Sequence, residues 1–258
     1  MQTLNIRQRA TKPPLDARPR DHRVGLVILA TDHTTEPDYV RMVASEGVGV
    51  YVTRVAYANP TTPENLRAMQ PALSAAAGLI LPDEDLDVLC YSCNSASVVI
   101  GDDAVTAAFG ASKPGVAVVT PPLATCKALQ ALGAKRISIL TPYLAETSAP
   151  VAAYFTSAGF EVASFTCLGM DDDREMARIA PETLVELARE AMDPQADALI
   201  ILCTALRAAE AAAAIEAALD KPVVTSNQAT AWMCLRLCGD ERAMPECGQV
   251  FTLPLAAP

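Results

Sequence analysis

Residues 87–98, Asp-Val-Leu-Cys-Tyr-Ser-Cys-Asn-Ser-Ala-Ser-Val, run from a short apolar segment into a cluster of small polar residues. The apolar segment predicts a buried strand, and the residues after Cys93 predict the start of a helix. At such a junction the backbone N–H groups are free and the helix dipole favours an anion. The stretch therefore predicts a thiol at the C-terminal end of a strand, beside a place where an anion would bind.

A second stretch of the same design follows far downstream, where residues 197–205 read Asp-Ala-Leu-Ile-Ile-Leu-Cys-Thr-Ala. The neighbouring strands repeat as well: Arg23–Ala30 corresponds to Arg136–Thr141, and Lys113–Thr120 to Lys221–Thr225. Each offset is roughly 110 residues, which is far longer than the period of a solenoid. The chain is therefore interpreted as a duplicated domain.

Strands that alternate with helices predict an α/β fold with parallel sheets. We expect two pseudosymmetric lobes, each a short parallel sheet flanked by helices. Ligands of such sheets bind outside the C-terminal strand ends, which places the site between the lobes. The predicted parts are a flexible arm at 1–22, a first lobe at 23–121 and a second lobe at 122–226, with 227–258 packing back on the first lobe.

Composition excludes several kinds of partner. Of the 258 residues, 51% are hydrophobic and 19% are charged, and the net charge is −10. An acidic chain is a poor candidate for binding nucleic acid or an anionic membrane. Its apolar stretches are shorter than the about 18 residues that a spanning helix needs, and its first residues lack the apolar core of a leader peptide. A cytoplasmic protein is expected.

The sequence contains eight cysteines. In a large α/β chain these are expected to stay reduced. Cys90 and Cys93 form a C-x-x-C pair that is also found in redox motifs and zinc half-sites. Cys90 lies inside the apolar run, however, and Ile200 occupies its position in the second half, so Cys90 is interpreted as core. Cys234 and Cys238 have helical spacing and are interpreted as buried packing.

Cys93 and Cys203 are the candidate catalytic residues. Backbone N–H groups and a helix dipole lower the pKa of a thiol at a strand end. Two thiols on opposite faces of a carbon would allow one to take a proton while the other gives one, which is racemisation without a cofactor. If the substrate has an activated double bond, thiolate addition, rotation and elimination would give cis–trans isomerisation instead. The alternative is that both cysteines are small buried hydrophobic residues.

Further polar residues near the strand ends are predicted to contact a substrate: His33, Asn94, Ser95, Tyr143, Thr204, Ser226 and Asn227. Several of them would equally serve as helix caps, and a single loop histidine is often exposed to solvent. No glycine-rich phosphate loop is evident, so nucleotide binding has no support.

Three longer phrases carry a resemblance to a known superfamily. They are Leu-Ala-Thr-Asp-His-Thr-Thr-Glu at 29–36, Tyr-Ala-Asn-Pro-Thr-Thr-Pro-Glu-Asn at 57–65, and Tyr-Ser-Cys-Asn-Ser-Ala-Ser-Val-Val-Ile-Gly at 91–101. Over about Arg23 to Cys238 the sequence resembles the aspartate/glutamate racemase superfamily. Within it, the sequence is most similar to the maleate isomerase and arylmalonate decarboxylase branch, and in particular to ectoine-utilisation proteins of the EutA type.

The resemblance implies a site between two lobes, paired catalytic cysteines at Cys93 and Cys203, and a substrate-binding tyrosine at Tyr143. It also implies that no metal or organic cofactor is needed and that the chain forms a homodimer or a higher homo-oligomer. His33 stands where maleate isomerases have asparagine, a departure that argues against maleate as the substrate. Arylmalonate decarboxylases keep only the second thiol, so Cys93 argues against decarboxylation.

The resemblance to EutA-type proteins implies a racemase or epimerase acting on ectoine, hydroxyectoine or a derived amino acid, that is, on a small carboxylate or amino-acid-like substrate. A maleate-type isomerase and an arylmalonate-type decarboxylase are the alternative enzymes. A compatible-solute binding protein without turnover is the alternative from another class.

Overall fold

The computed structural model describes residues 6–256. The first half of the chain contains four strands and five helices, in the order β1 (His22–Leu29), α1 (Thr35–Met42), β2 (Val48–Val55), α2 (Pro63–Arg67), α3 (Leu73–Gly78), β3 (Val88–Ser92), α4 (Asn94–Ile100), α5 (Asp102–Ser112) and β4 (Ala117–Val119). A short 3₁₀ turn at Gln70–Ala72 connects α2 to α3.

The second half repeats this alternation and adds a final helix. Its elements are α6 (Pro121–Leu132), β5 (Arg136–Tyr143), α7 (Ala145–Ser157), β6 (Glu161–Met170), α8 (Asp173–Met176), α9 (Pro181–Ala191), β7 (Ala198–Ile201), α10 (Ala208–Leu219), β8 (Val223–Thr225) and α11 (Ser226–Leu237). Two 3₁₀ turns, Pro245–Cys247 and Gln249–Thr252, follow α11.

The two sheets have the same topology. Their strand orders are β2-β1-β3-β4 and β6-β5-β7-β8, and every pairing within them is parallel. The predicted duplication and the predicted α/β fold of two parallel lobes are therefore confirmed.

Each sheet is buried on both faces, which explains why its central strands are nearly continuous apolar runs. Successive side chains of a strand point to opposite faces. On β1, Leu26 and Ile28 pack in a hydrophobic cluster that also contains Ile139 of β5, whereas Val27 packs in a separate cluster within the first half. The two sheets thus share one continuous core.

Helix α11 follows the second sheet but contacts the first half of the chain. The Tyr39 hydroxyl of α1 lies 3.6 Å from the Cys234 Sγ, and the Asn227 Nδ2 donates to the Asp38 Oδ2 at 2.9 Å. These contacts place the helix against the first half of the chain. The prediction that all of residues 227–258 pack back on the first lobe stays a prediction.

The start of the chain differs from the two lobes. Residues 6–21 are exposed and form no helix or strand, and β1 begins at His22. The first five residues of the predicted arm lie outside the described residues. Within the described part of the chain, none of the helices combines the length and the apolar character that crossing a bilayer requires.

Two predicted elements have different bounds in the structure. Thr62 as a cap and Pro63 at the first position predict a helix that runs to about Ala77. In the structure this segment is split into α2 and α3, because Pro71 lacks the N–H that a continuing helix needs. The sequence also predicts a loop at residues 142–146, after the strand Arg136–Thr141. In the structure Pro142 and Tyr143 are instead the end of β5, so Tyr143 is held by a strand.

Candidate active site

A small cavity lies between the C-terminal ends of the two sheets, and both halves of the chain line it. The lining residues are Leu29, Asp32, Tyr57, Thr61, Leu66, Cys93, Ser95, Tyr143, Asp173, Met176, Cys203, Thr204 and Ala205. About 20 Å³ of this space is open to the centre of a water molecule. That is room for very few waters in this conformation.

The first thiol is positioned by the junction of β3 and α4. Cys93 has an extended backbone with φ −148° and directly precedes α4, as the sequence predicts. Its side chain is 4% exposed, and its Sγ lies 4.0 Å from the Ser95 Oγ. The thiol therefore points into the cavity beside a hydroxyl group.

The second thiol lies after β7, two residues beyond the strand end. The Cys203 backbone N–H donates to the Ser226 Oγ at 3.2 Å, and its Sγ lies 3.9 Å from the Met176 Sδ. Like its counterpart it is buried, with 6% of its surface exposed. Each half of the chain thus supplies one cysteine to the same cavity.

Burial raises the pKa of Cys93 and of Cys203 to about 12. Backbone N–H groups oppose this increase, that of Ala96 at Cys93 and those of Ala205 and Leu206 at Cys203. The expectation that N–H groups bring the pKa of these thiols toward neutrality is therefore wrong, because desolvation is the larger effect. Both thiols are neutral at pH 7 in this closed cavity.

Tyr143 connects the surroundings of the two thiols. It is 2% exposed, and it interacts with the Cys203 thiol and the Ser95 hydroxyl. Burial raises its pKa well above the ordinary value, so the phenol keeps its proton and remains a hydrogen-bond donor. A second phenol, that of Tyr57, donates to the Thr61 Oγ1 at 2.6 Å at the rim of the cavity.

Thr204, the residue after Cys203, forms hydrogen bonds between the two lobes. Its Oγ1 donates to the Ser92 backbone oxygen at 3.2 Å, and its own carbonyl accepts from the Thr34 hydroxyl. The same carbonyl accepts from the Asn227 Nδ2 at 3.0 Å. These bonds position the loop that carries Cys203.

The structure brings only some of the predicted contact residues to the cavity. Ser95, Tyr143 and Thr204 line it together with the two cysteines. Ser226 and Asn227 lie behind the Cys203 loop, where their hydrogen bonds hold its backbone. They therefore position the site and do not line it.

Two predicted contact residues lie elsewhere. His33 is exposed and does not line the cavity, because the loop after β1 turns the side chain of Asp32 inward instead. Asn94 is fully buried, with both of its amide atoms lacking a partner among the described residues, and it too is absent from the lining. The structure thus corrects the placement of both residues.

Sequence reasoning missed two carboxylates of the lining, Asp32 and Asp173. Asp32 follows β1, and its Oδ1 accepts from the backbone N–H groups of Thr34 and Thr35 at 2.9 and 2.8 Å. Asp173 ends the acidic run that follows β6, and its Oδ2 accepts from the Thr31 hydroxyl of the other lobe. The only sequence signal was the position of both residues just after a strand.

The C-x-x-C alternative finds no support in the described part of the chain. Cys90 is fully buried in the core, 3.5 Å from the Ser92 Oγ. Among the described residues, no group of three or more histidine, cysteine, aspartate or glutamate side chains is arranged to hold a metal ion.

The fold and the site together define the class of protein: two parallel α/β lobes, each of which contributes a cysteine to one shared cavity. A family model described as arylmalonate decarboxylase matches residues 103–251, more than half of the chain. The chain belongs to the arylmalonate decarboxylase family, and maleate isomerases are also found among its relatives.

Individual relatives agree with this assignment. The chain is 27% identical over 246 residues to a maleate isomerase of Pseudomonas putida, covering 90% of this chain and 97% of that protein. It is 30% identical over 140 residues to an arylmalonate decarboxylase of Bordetella bronchiseptica, covering 53% and 58% of the two chains.

A solved structure shares the fold over nearly the whole chain. The maleate cis-trans isomerase of Nocardia farcinica, as a cysteine-to-serine mutant with a covalently bound succinylcysteine intermediate, superimposes with a TM-score of 0.80 at 25% identity. The match covers 90% of this chain and 98% of the other.

Proposed function

We propose that the protein is a racemase or epimerase that uses Cys93 and Cys203 as its two acid–base groups on a small carboxylate substrate. The observation that carries this proposal is the supply of one thiol by each half of the chain to the same cavity. A binding protein would not need two thiols, whereas proton exchange at one carbon needs a group on each face.

In the proposed reaction, one thiol group replaces the proton that the other removes. One thiolate removes the proton from the carbon beside the substrate carboxylate, so that an S–H bond forms, the C–H bond breaks, and the electron pair is delocalised into the carboxylate. The opposite thiol then donates its proton to the other face of that carbon. Because the pKa of both thiols is raised to about 12, one of them must lose its proton when the substrate binds.

The three phrases that resemble EutA-type proteins support a more specific proposal. On that resemblance, the substrate is ectoine, hydroxyectoine or an amino acid derived from them. Incubation of the protein with this panel in deuterium oxide tests the proposal, because a racemase exchanges the proton of the reacting carbon with solvent. Proton nuclear magnetic resonance would follow the loss of that signal.

Substitution of either thiol tests the roles of the cysteines. We expect Cys93→Ala and Cys203→Ala each to lower turnover by roughly 10²–10⁴-fold, the usual worth of a positioned acid or base. Cys126→Ala is the matched control, because Cys126 is a buried thiol whose pKa is also raised to about 12 but which does not line the cavity. Undiminished turnover in both cavity variants would rule out the proposal.

Cis–trans isomerisation is the second candidate, favoured by the maleate isomerase relatives and by the succinylcysteine intermediate of the Nocardia enzyme. In this reaction a thiolate would add to the double bond of an unsaturated diacid, forming a C–S bond, and would leave after rotation about the new single bond. Incubation with maleate followed by intact-mass spectrometry would then show an adduct on one cysteine, whereas the racemase hypothesis predicts none.

A further inference from the structure

Asp173 contains a buried oxygen that the proton transfer does not use. The side chain lines the cavity, and the residue is 5% exposed. The Oδ2 accepts from the Thr31 hydroxyl, but the Oδ1 has no hydrogen-bond partner among the described residues. An unpartnered carboxylate oxygen in a buried site is costly unless a ligand satisfies it.

No described lysine, arginine or histidine donates a hydrogen bond to this oxygen. The described residues that line the cavity include no lysine, arginine or histidine. Arg174, the next residue in the chain, directs its guanidinium outward to Asp172, with 2.9 Å between Nε and Oδ1. Among the described residues, Asp173 forms no ion pair within 4 Å, and Arg174 interacts with it only at longer range.

The other carboxylate of the lining is already satisfied. Asp32 accepts bonds from two backbone N–H groups and, at 2.7 Å, from the Thr35 hydroxyl. Its backbone oxygen accepts from the Arg54 Nη1 at 2.9 Å, which holds a guanidinium close to the same loop. Of the two carboxylates, only that of Asp173 has an oxygen without a hydrogen-bond partner among the described residues.

We propose that Asp173 binds a positively charged nitrogen of the substrate, so that the site accepts a carboxylate compound bearing an ammonium or amidinium group in preference to a dicarboxylate. The proposal deepens the proposed function and rests on it for the location of the substrate. An ionic contact in a buried cavity is stronger than one in water, and a second carboxylate at the same place would be repelled. The specificity thus combines one attraction with one repulsion.

The same contact would assist the chemistry. Asp173 is one of the groups that raise the pKa of both Cys93 and Cys203, after the larger effect of burial. A substrate cation paired with Asp173 would offset that negative charge. It would thereby favour formation of the thiolate only when the correct substrate is bound.

Two probes of equal chain length test the proposal in the full-length protein. They are 3-aminopropanoate, which ends in an ammonium group, and succinate, which ends in a second carboxylate. We expect calorimetry to show at least about tenfold tighter binding of 3-aminopropanoate, equivalent to about 1.4 kcal/mol. Failure of the wild type to bind 3-aminopropanoate more tightly than succinate would overturn the proposal, and this comparison decides the matter even without a variant.

A pair of variants assigns the preference to one residue. We expect Asp173→Asn to weaken binding of 3-aminopropanoate about tenfold while succinate binds equally well or more tightly. Asp171→Asn removes the same charge from an exposed residue of the same loop and should leave both affinities unchanged. Equal weakening of both probes in Asp173→Asn would show a structural role only and would contradict the proposal.

The outcome is separable from that of the proposed function. The readout is binding, so it does not depend on whether Cys93 and Cys203 exchange protons. A preference for 3-aminopropanoate combined with undiminished turnover in the cysteine variants would retain the role of Asp173 and reject the racemase. The reverse combination would retain the thiol pair and reject the cation site.

Discussion

Cys93 and Cys203 each lie close to the backbone N–H groups of the residues that follow them, at the start of a helix in one lobe and in a tight turn in the other. Such groups stabilise a thiolate, yet burial dominates and the pKa of each thiol is about 12. The closed cavity thus holds two neutral thiols. Their reactivity depends on what a bound substrate adds.

The raised pKa predicts slow alkylation with a steep dependence on pH. At pH 8 only about one molecule in 10⁴ would carry a given cavity thiol as thiolate, the form that reacts. Because the thiolate fraction grows tenfold per pH unit below the pKa, we expect the iodoacetamide rates of Cys93 and Cys203 to rise about tenfold per unit from pH 7 to pH 9. Peptide mass spectrometry after short pulses would measure each rate.

Cys167, an exposed cysteine on β6, provides the comparison within the same samples and should react fastest. The slope with pH separates ionisation from access, because limited access lowers the rate equally at every pH. A rate at Cys93 or Cys203 that levels off below pH 9 would contradict the raised pKa.

Among individual site residues, the sequence predicted the two thiols but not the carboxylates that line the cavity beside them. Cys93 and Cys203 were predictable because each follows an apolar strand in a repeated setting. Asp173 was not, since the contact that fixes it, with Thr31, joins two distant loops. Local pattern likewise could not tell that Asp32 and not His33 faces inward.

The elements themselves were more predictable. The six strands that the repeat predicts occur in the predicted order, as do two further strands predicted at Gly47–Tyr57 and Glu161–Leu168. The central strands are the most predictable, because parallel strands buried on both faces are continuous apolar runs. The ends of the strands were less predictable. The strand predicted at Lys113–Thr120 is β4, which covers only Ala117–Val119, because Pro114 and Gly115 turn the chain before it, with φ +77° at Gly115. Strand ends depend on which neighbour is available for pairing, and a sequence does not show this.

Helix α11 depends on a single glutamine at its start. The Gln228 Oε1 accepts from the Thr225 backbone N–H at 3.0 Å, and its Nε2 donates to the Cys247 carbonyl at 2.7 Å. The same side chain therefore caps α11 and holds the following 3₁₀ turn at Pro245–Cys247 against the helix. Both partners are buried, so neither could turn to water if the amide were lost.

We expect Gln228→Ala to destabilise the protein by about 1–3 kcal/mol, the usual cost of losing a cap and leaving buried groups without partners. Urea denaturation followed by circular dichroism would measure the change. Gln130→Ala, at an exposed position near the end of α6, should change stability by less than about 0.5 kcal/mol. Equal stabilities of the two variants would refute this role of the glutamine.

In the whole molecule the two sheets share one hydrophobic cluster, to which β1, β5 and α11 all contribute. The predicted boundary between a first lobe at 23–121 and a second at 122–226 therefore does not separate two independent cores. The duplication was visible in the sequence, but the joining of the cores was not, because apolar residues do not indicate which sheet they will face.

A shared core predicts a single cooperative unfolding transition. The chain contains one tryptophan, Trp232, which is fully buried in the shared cluster and donates from its Nε1 to the Leu253 carbonyl at 2.9 Å. We expect its fluorescence and the far-ultraviolet circular dichroism to change at the same urea concentration. Two separate midpoints would show that one lobe unfolds without the other.

The two halves of the chain line the cavity with different residues, and this difference affects how the two enantiomers of a substrate bind. The lobe of Cys93 adds Asp32 and the lobe of Cys203 adds Asp173, so a bound carbon meets different surroundings on its two faces. Enantiomers have equal free energies in water, so a racemase must show the same kcat/KM in both directions. Such an enzyme would bind one hand more tightly and turn it over correspondingly more slowly. The two enantiomers would then differ in KM and in kcat, whereas their kcat/KM values would be equal.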